Sequence, residues 1–381
     1  MNRAILLLLG VFFLTGLSFS QGISVKFADD TAKSDEYDFR LTPTGKLWLA
    51  LNGTDEQIGL ADNGSRIGVK MDQKVSKGIS VYGLIELGIR LSQGGSVVNL
   101  SPDGNLNSGY LNVSTSTDYN VFKLRKAYLG VDFGKYGKVA MGKQYASYYF
   151  IAGETDISEM VSGYTAFTSA PTGTDGGQTG TGKASNSVYY YNRVGRFEVT
   201  ATTQFFINDP EYKRALDCAG ASSYFYLTDE FKIGAGIQQM FLSRTSFEKV
   251  RGLSGNPWYG VAGAELYLKN FYAGVNVARE EHGDLVNYYD TTVMYSAWSL
   301  EFATRYTLGK WNFLGGVNLM KPDIEFDYIN DDFNTMIVFL GVNYSMTKNF
   351  LLFMESKIDF SYDAFGQQPP SAVIMGVRAV F

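Results

Sequence analysis

The sequence contains few of the residues on which most catalytic and metal sites depend. Its 381 residues include one histidine (His282), one cysteine (Cys218) and eight prolines. One histidine and one cysteine exclude a cluster of nitrogen and sulfur ligands for zinc, and a lone cysteine excludes an intramolecular disulfide. His282 lies in the loop-like stretch "REEHGD" without a suggestive serine spacing, so we interpret it as a solvated histidine rather than a general base. The sequence therefore predicts no enzyme, no metal site and no cofactor.

Long apolar runs are also lacking, except at the start of the chain. Arg3 precedes an apolar stretch from Ala4 to Leu14, and small residues follow before Gln21, a pattern typical of a secretory signal cleaved after Ser20. No later stretch has 18 consecutive apolar residues, so membrane-spanning helices are not expected. We predict a signal peptide at residues 1–20, a lead of uncertain placement at residues 21–40 and the main domain at residues 41–381.

Basic clusters are absent as well. The chain has 33 Lys and Arg residues against 38 Asp and Glu residues, a formal net charge of −5. An acidic total without basic runs argues against a nucleic-acid partner.

What the sequence does contain is glycine, aromatic residues and strict alternation. There are 42 Gly, 26 Tyr and 27 Phe residues, a composition that favours strands joined by tight turns. Residues 65–75 and 79–92 each alternate apolar and polar side chains over ten or more positions. A period of two over this length indicates long strands with one apolar and one polar face.

The connections between these strands alternate between short and long. Seven short connections and eight long ones, among them Tyr145–Ala184 and Glu281–Val293, separate sixteen alternating segments. An even number of strands of about ten residues, with short turns at one end and long loops at the other, is the signature of an outer-membrane barrel. We therefore predict an all-β fold: a 16-stranded antiparallel transmembrane β-barrel with short periplasmic turns and long external loops.

The last strand of the chain fits this barrel. Val373, Met375 and Val377 are expected to face lipid, while Arg378 faces a water-filled lumen. Trp48 and Trp311 are expected in the aromatic girdles at the membrane interfaces. In this interpretation no residue requires a dry core.

Several segments resemble the general diffusion porins of Gram-negative outer membranes. "TGKLWLAL", "SRIGVK", "VYGLIEL", "KASNSVYYYN" and "GVRAVF" are similar to strand motifs of this family, and "LRKAYLGVDFGKYGKVAMGKQY" is the strongest match. The resemblance implies pore-facing basic residues at Lys46, Arg66, Arg125 and Lys183, and a lumenal glutamate at Glu86. Lys126, between Leu124 and Tyr128, falls on the apparent lipid side.

The resemblance also implies that the third long connection, Tyr145–Ala184, folds into the barrel. Glu154, Asp156 and Glu159 would then line one side of a pore constriction, opposite the basic residues. This connection reads "ETDISEMVSGYT" and lacks the family's P-E-F-G-G stretch. Arg90 and Arg378 are expected elsewhere on the lumenal wall, with Glu86.

These features favour passive diffusion of small hydrophilic solutes and ions across the outer membrane. The alternatives are a substrate-selective channel of the phosphate or sugar type, or a barrel with an adhesin or structural role. A selective channel would show a ladder of arginines or an aromatic track, and the acidic total argues against strong selectivity for anions. The resemblance implies a homotrimer in outer-membrane lipid, and a barrel-assembly machinery that recognises the terminal Phe381.

Overall fold

A computed structural model describes the greater part of the chain. The described residues are 23–24, 39–55, 57–62, 64–91, 97–98, 113–114, 121–163, 165–170, 175–205, 216–242, 251–288, 291–323 and 329–381. The expected signal peptide and most of the expected lead lie outside them, so both remain predictions. Of the lead, Ile23 and Ser24 pair antiparallel with Leu41 and Arg40. Within the described residues no helix is long and apolar enough to span a membrane.

Sixteen strands form one closed antiparallel sheet, as the alternation predicts. They are β1 (Phe39–Gly53), β2 (Arg66–Ser76), β3 (Ile79–Ile89), β4 (Phe122–Asp132), β5 (Lys138–Tyr145), β6 (Lys183–Val194), β7 (Phe197–Gln204), β8 (Cys218–Tyr226), β9 (Phe231–Met240), β10 (Trp258–Tyr267), β11 (Phe271–Tyr288), β12 (Thr291–Leu308), β13 (Trp311–Asp323), β14 (Thr335–Ser345), β15 (Phe350–Asp359) and β16 (Ala372–Val380).

The sheet closes where the first strand meets the last. On one edge, β1 pairs with β2 from Phe39↔Gln73 to Lys46↔Arg66. On the other edge it pairs with β16 from Lys46↔Val380 to Gly53↔Val373. The short strand Ile58–Asp62 extends the first edge by pairing with the end of β1. Closure pairs the backbone N–H and C=O groups at both edges of the sheet. Strands in lipid require this pairing because lipid offers them no hydrogen-bond partners.

Alternate side chains face opposite sides of the wall. On β12, Glu301 is fully buried, whereas its neighbours Leu300 and Phe302 are 37% and 41% exposed. On β15, Glu355 is buried and Met354 is half-exposed. The polar set therefore faces inward and the apolar set faces outward, as expected of a barrel in a membrane.

One connection differs from the sequence prediction. β11 and β12 run to Tyr288 and from Thr291, so most of the expected loop Glu281–Val293 is a strand hairpin. The register shifts between Glu280 and Asp284, where His282 has a φ of 51°. A bulge of this kind interrupts the alternation without ending the strand pairing, so the sequence pattern looked like a loop.

The prediction that no residue requires a dry core is wrong. The third long connection forms the helix α1 (Ser147–Ala152) and a 3-10 turn, Gly153–Thr155. Tyr148 and Ile151 of α1 are fully buried in an apolar cluster with inward residues of the wall. Further along, Met160 and Val161 pack in a second cluster that includes Phe339. The connection supplies its own apolar face, which strand alternation does not reveal.

Candidate functional site

Five inward basic side chains meet on one part of the wall. Strands β16, β1, β2, β4 and β6 contribute one each, and β3 and β5 complete this run of neighbouring strands. We call these five residues the basic wall: Arg378, Lys46, Arg66, Arg125 and Lys183. All five line one cavity of about 250 Å³, which Asp156, Glu159 and Asp175 also line. Six of the residues predicted to form the constriction are thus brought together, with Arg378 in addition.

Glu86 binds three neighbouring cations, two of which belong to the basic wall. Its carboxylate lies 3.6 Å from Arg66 Nε, 3.4 Å from Arg125 Nε and 3.4 Å from Lys126 Nζ. The ion pair with Lys126 corrects the expectation that this lysine faces lipid. The pairing of β3 with β4 shifts between Glu86↔Lys126 and Leu87↔Leu124. The extra residue, Arg125, allows two consecutive basic side chains to reach the same inward carboxylate.

Arg378 makes a direct bridge between the wall and the third connection. Its guanidinium lies 2.6 Å from Glu159 Oε1, so it lines the same cavity as the residues expected in the constriction rather than a separate part of the wall. Lys46 Nζ lies 3.3 Å from the centre of the Trp48 ring. Trp48 is therefore inside the barrel, where it lines the cavity, and its assignment to an outer aromatic girdle is wrong. Burial raises the pKa of the Glu159 carboxyl, and the charges of Arg378 and Lys46 oppose that shift.

Asp156 is held by its own connection. Its carboxylate accepts hydrogen bonds from the Tyr149 hydroxyl at 3.0 Å and the Ser162 hydroxyl at 3.4 Å. Gly163 has a φ of 74°, and a Cβ there would lie 3.0 Å from Asp156 Cβ. A glycine thus allows the backbone to turn close to the carboxylate.

One further acid on this connection, Asp175, was not predicted from the sequence. Asp175 accepts a charged hydrogen bond from Lys143 of β5 at 2.6 Å. Asp175 lies in a stretch rich in Gly and Thr, where no periodic pattern marks one acid as inward. Lys143 shares its alternate set with Val139 and Met141, so the strand pattern did not mark it as inward either.

Two inward glutamates outside the basic wall hold the connection in place. Glu355 of β15 accepts the backbone N–H groups of Glu159 at 2.7 Å and Met160 at 2.8 Å. Glu301 of β12 accepts the backbone N–H of Ala166 at 2.9 Å, and the N–H and hydroxyl of Thr165. Both acids are buried. These bonds tie the connection to β15, which adjoins the basic wall, and to β12.

The sequence as a whole identifies the family. A family model described as "Gram-negative porin" matches residues 30–357. The chain belongs to this family. The resemblance drawn from the strand motifs is thereby confirmed, and the chain is an outer-membrane channel protein. A search of curated protein sequences found no match.

Solved porin structures share the fold. The structure titled "Salmonella typhi OmpF complex with Daunomycin" is 15% identical, with a TM-score of 0.70 over 90% of this chain and 98% of that one. An anion-selective porin from Comamonas acidovorans is 14% identical, with a TM-score of 0.65 over 90% and 100%. The trimer form of OmpT from Vibrio cholerae is 15% identical, with a TM-score of 0.62 over 91% and 100%. At such identities these structures confirm the 16-stranded barrel and nothing finer.

Two predicted site residues of this porin lie away from the cavity. Glu154 is buried, and its carboxyl group accepts a hydrogen bond from the Tyr224 hydroxyl on β8. Burial raises the pKa of Glu154 to about 8. Arg90 follows the end of β3, where it is exposed and its backbone N–H donates to the Val121 carbonyl at 3.0 Å. Neither side chain lines the passage between the basic wall and the third connection.

The single histidine of this porin has a serine neighbour that the sequence spacing did not suggest. Ser254 Oγ lies 2.9 Å from His282 Nε2. In the part of the chain that the structure describes, no carboxylate hydrogen-bonds to Nδ1, where the acid of a hydrolytic triad would lie. Nor do any three His, Cys, Asp or Glu side chains among these residues group as metal ligands.

Proposed function

We propose that this porin is a passive channel for small hydrophilic solutes and ions, and that its narrowest passage lies between the basic wall and the third connection. One observation carries this proposal. Lys46, Arg66 and Arg378 line the same cavity as Asp156 and Glu159, and the two sets come from different segments of the chain. No bond is made or broken in this function, and no cofactor takes part.

Opposed charges across a narrow passage act on solutes as a fixed transverse field. Walls of low dielectric constant concentrate that field in the water between them. Ordered water and oriented dipolar solutes pass, whereas an apolar solute must displace water that the charges hold. Small polar molecules are therefore expected to pass faster than apolar molecules of equal size.

The assembly of the channel is also a proposal. Half-exposed outward side chains such as Ile85, Leu129 and Met354 would contact outer-membrane lipid. The Vibrio cholerae OmpT structure is printed as a trimer form, which supports a homotrimer for this chain. Recognition of Phe381 by the barrel-assembly machinery rests on the family resemblance.

Single-channel recording in planar bilayers tests the channel and the charges of the third connection and of the basic wall. Purified wild-type protein should give stepwise, ohmic currents that do not saturate with salt. Neutralising the connection (Asp156→Asn with Glu159→Gln) removes attraction for cations, so the reversal potential in a KCl gradient should move toward chloride. Neutralising the wall (Arg66→Gln with Arg125→Gln) should move it toward potassium.

Salt and position provide the controls for this experiment. The Debye length is about 8 Å at physiological salt and about 3 Å at 1 M, so both shifts should shrink in molar KCl. The same neutralisation at Lys77 or Lys269, exposed on short turns, should change little. Absence of channel steps would refute the pore. Shifts in the same direction, or none, would refute the opposed-charge passage.

A track of inward tyrosines supports a second candidate, a channel selective for sugars. Tyr82 and Tyr128 pack edge to face at 6.2 Å between centroids. Further around the wall, Tyr191 and Tyr226 both donate to Glu198 at 3.0 Å. Aromatic faces beside fixed polar groups suit the apolar faces and hydroxyls of sugars. Conductance that falls and saturates as a maltose series is added would favour this candidate over the general pore.

A further inference from the structure

The charges around the passage do not balance. Among the described residues, the five cations of the basic wall line the cavity. Lys143 binds the cavity carboxylate Asp175, and Lys126 binds Glu86 beside Arg66 and Arg125. The carboxylates of this group are Glu86, Asp156, Glu159 and Asp175, so seven cations against four carboxylates leave an excess of three positive charges among the described residues. Positions 164 and 171–174 of the third connection are Tyr, Pro, Thr, Gly and Thr, so the connection's undescribed positions add no charge to this count.

Most of the negative charge is also bound by cations. Glu86 is shared by three of them, Glu159 binds Arg378 and Asp175 binds Lys143. Glu355 does not line the cavity; it is almost fully buried and accepts two backbone N–H groups of the connection. Even if Glu355 is counted, the excess is two positive charges.

We propose that this passage prefers anions to cations, and that small oxyanions such as carboxylates and phosphate are the solutes it accepts best. The inference deepens the proposed channel function and rests on it. Lys46 lies directly opposite Arg66 in the β1–β2 register, and Trp48 beside it lies opposite Arg378 in the β1–β16 register. Two guanidinium groups and one ammonium group therefore share a small part of the wall.

Guanidinium groups favour oxyanions over spherical anions because their N–H groups form parallel hydrogen bonds to two oxygens. Lys46 adds a compact positive charge next to them. Chloride can use only the charge of this cluster, whereas a carboxylate or a phosphate can also use its donor geometry.

The negative total of the chain does not contradict this preference. The formal net charge of −5 belongs to the complete sequence, including exposed turns and loops. Charges in water beyond about 8 Å are largely screened at physiological salt. Charges that line a narrow opening between low-dielectric walls are not, so the local excess decides which ion enters.

Reversal potentials of the wild-type protein test the sign directly. In a KCl gradient near 0.1 M, the chloride-to-potassium permeability ratio should be roughly 3 to 10, falling toward 1 in molar salt as screening increases. Inorganic phosphate should reduce the chloride current in a saturable way at constant ionic strength. A ratio of 1 or below would overturn the inference while leaving the channel itself intact. Absence of any conductance would instead overturn the proposed channel.

One variant that lowers the positive excess and another that raises it test the inference independently. Lys46→Glu with Arg66→Glu changes the excess from three positive charges to one negative charge, so the preference should invert and phosphate should no longer block. Should that variant fail to fold, Asp156→Asn raises the excess to four and should increase the ratio. Lys77→Glu makes the same kind of change on a short turn and should leave the ratio unchanged. An unchanged ratio in Asp156→Asn and in a folded double variant would overturn the inference.

Discussion

Glu154 shows how one buried side chain can make the interior of this porin sensitive to pH. The residue follows helix α1, and its carboxyl group contacts Tyr224. Glu265 and Lys232 form an ion pair of 2.9 Å nearby. The charge of Glu265 raises the pKa of Glu154, and the charge of Lys232 lowers it. A Cβ at position 263 would lie 2.5 Å from Glu154 Oε2, so Gly263 leaves the space that the carboxyl occupies. The site accepts the neutral acid more readily than the carboxylate, because burial removes water from the charge.

The docking of this segment should therefore weaken as the pH rises. Burial raises the pKa of Glu154 from 4.5 to about 8, so the folded state binds the proton more tightly than the unfolded chain does. The resulting stabilisation is complete below about pH 4.5 and is lost as the pH rises through about 8. Within this window each pH unit lowers the docking equilibrium by up to about tenfold. Hydrogen exchange of residues 153–156, corrected for the intrinsic rate, should show protection falling between about pH 5 and pH 8 and levelling off at higher pH.

Glu154→Gln is the matched variant for this experiment, because it resembles the protonated acid and cannot ionise. Its protection should stay constant from pH 6 to pH 9. A variant that loses protection with the same pH dependence as the wild-type protein would show that another group is responsible.

The basic side chains of the site could be predicted from sequence, and most of their partners could not. Alternation places Arg66 and Arg378 on the inward face of their strands, and the family resemblance adds Lys46. Any inward charge in a barrel meets water or an opposite charge. Lys126 was misplaced because a single bulge reverses the inward and outward pattern. Asp175 lies in an irregular segment, whose contacts depend on a three-dimensional path that no local pattern encodes.

The third connection is the segment whose position most affects the passage. Glu355 accepts hydrogen bonds from the backbone N–H groups of Glu159 and Met160. Glu301 accepts them from Thr165 and Ala166. The amide of Asn276 also donates to Thr155 Oγ1 at 2.9 Å. These bonds hold the connection at three points along its length: Thr155, Glu159–Met160 and Thr165–Ala166. Sequence reasoning found the inward fold of this connection only through family resemblance, since acids that accept backbone N–H groups look like any lumenal charge.

Removing one of these anchors should loosen the passage without opening the barrel. Glu301→Ala leaves the backbone N–H groups of Thr165 and Ala166 without their acceptor, at a cost of about 1–3 kcal/mol for each unsatisfied group. We expect greater open-channel current noise and faster proteolysis within residues 155–170. Heat-modifiable migration on gels should still report a folded barrel.

Ser299→Ala is the control on the same strand and the same inward face. The Ser299 hydroxyl is buried and has no hydrogen-bond partner among the described residues, so its loss should leave the current noise unchanged. If the open-channel current noise of Glu301→Ala is no greater than that of Ser299→Ala, the glutamate does not hold the connection.

The barrel acts as one unit because its first and last strands close it. Beyond the β1–β16 ladder, the Gly45 N–H donates to the Phe381 carbonyl at 2.8 Å, and the Phe381 N–H donates to the Gly45 carbonyl at 3.0 Å. A Cβ on Gly45 would lie 2.1 Å from the Phe381 ring. The ring thus covers the glycine on the outward face of the closing pair, where a larger residue would displace it. This seam joins segments more than 300 positions apart, so local sequence patterns predict the strands but not their contact.

Replacing Phe381 with Asp should therefore reduce the yield of folded barrel in the outer membrane. The change removes the apolar contact over Gly45, worth about 1–2 kcal/mol, and places a charge on the outward face. Heat-modifiable migration of membrane fractions should show a severalfold lower folded fraction. Val380→Asp is the matched control, because Val380 lies opposite Lys46 on the inward face, where the new carboxylate meets water and a cation. Equal folded yields for the two variants would show that the outward ring does not contribute to closure, whereas a deficit confined to Phe381→Asp would assign it to the seam.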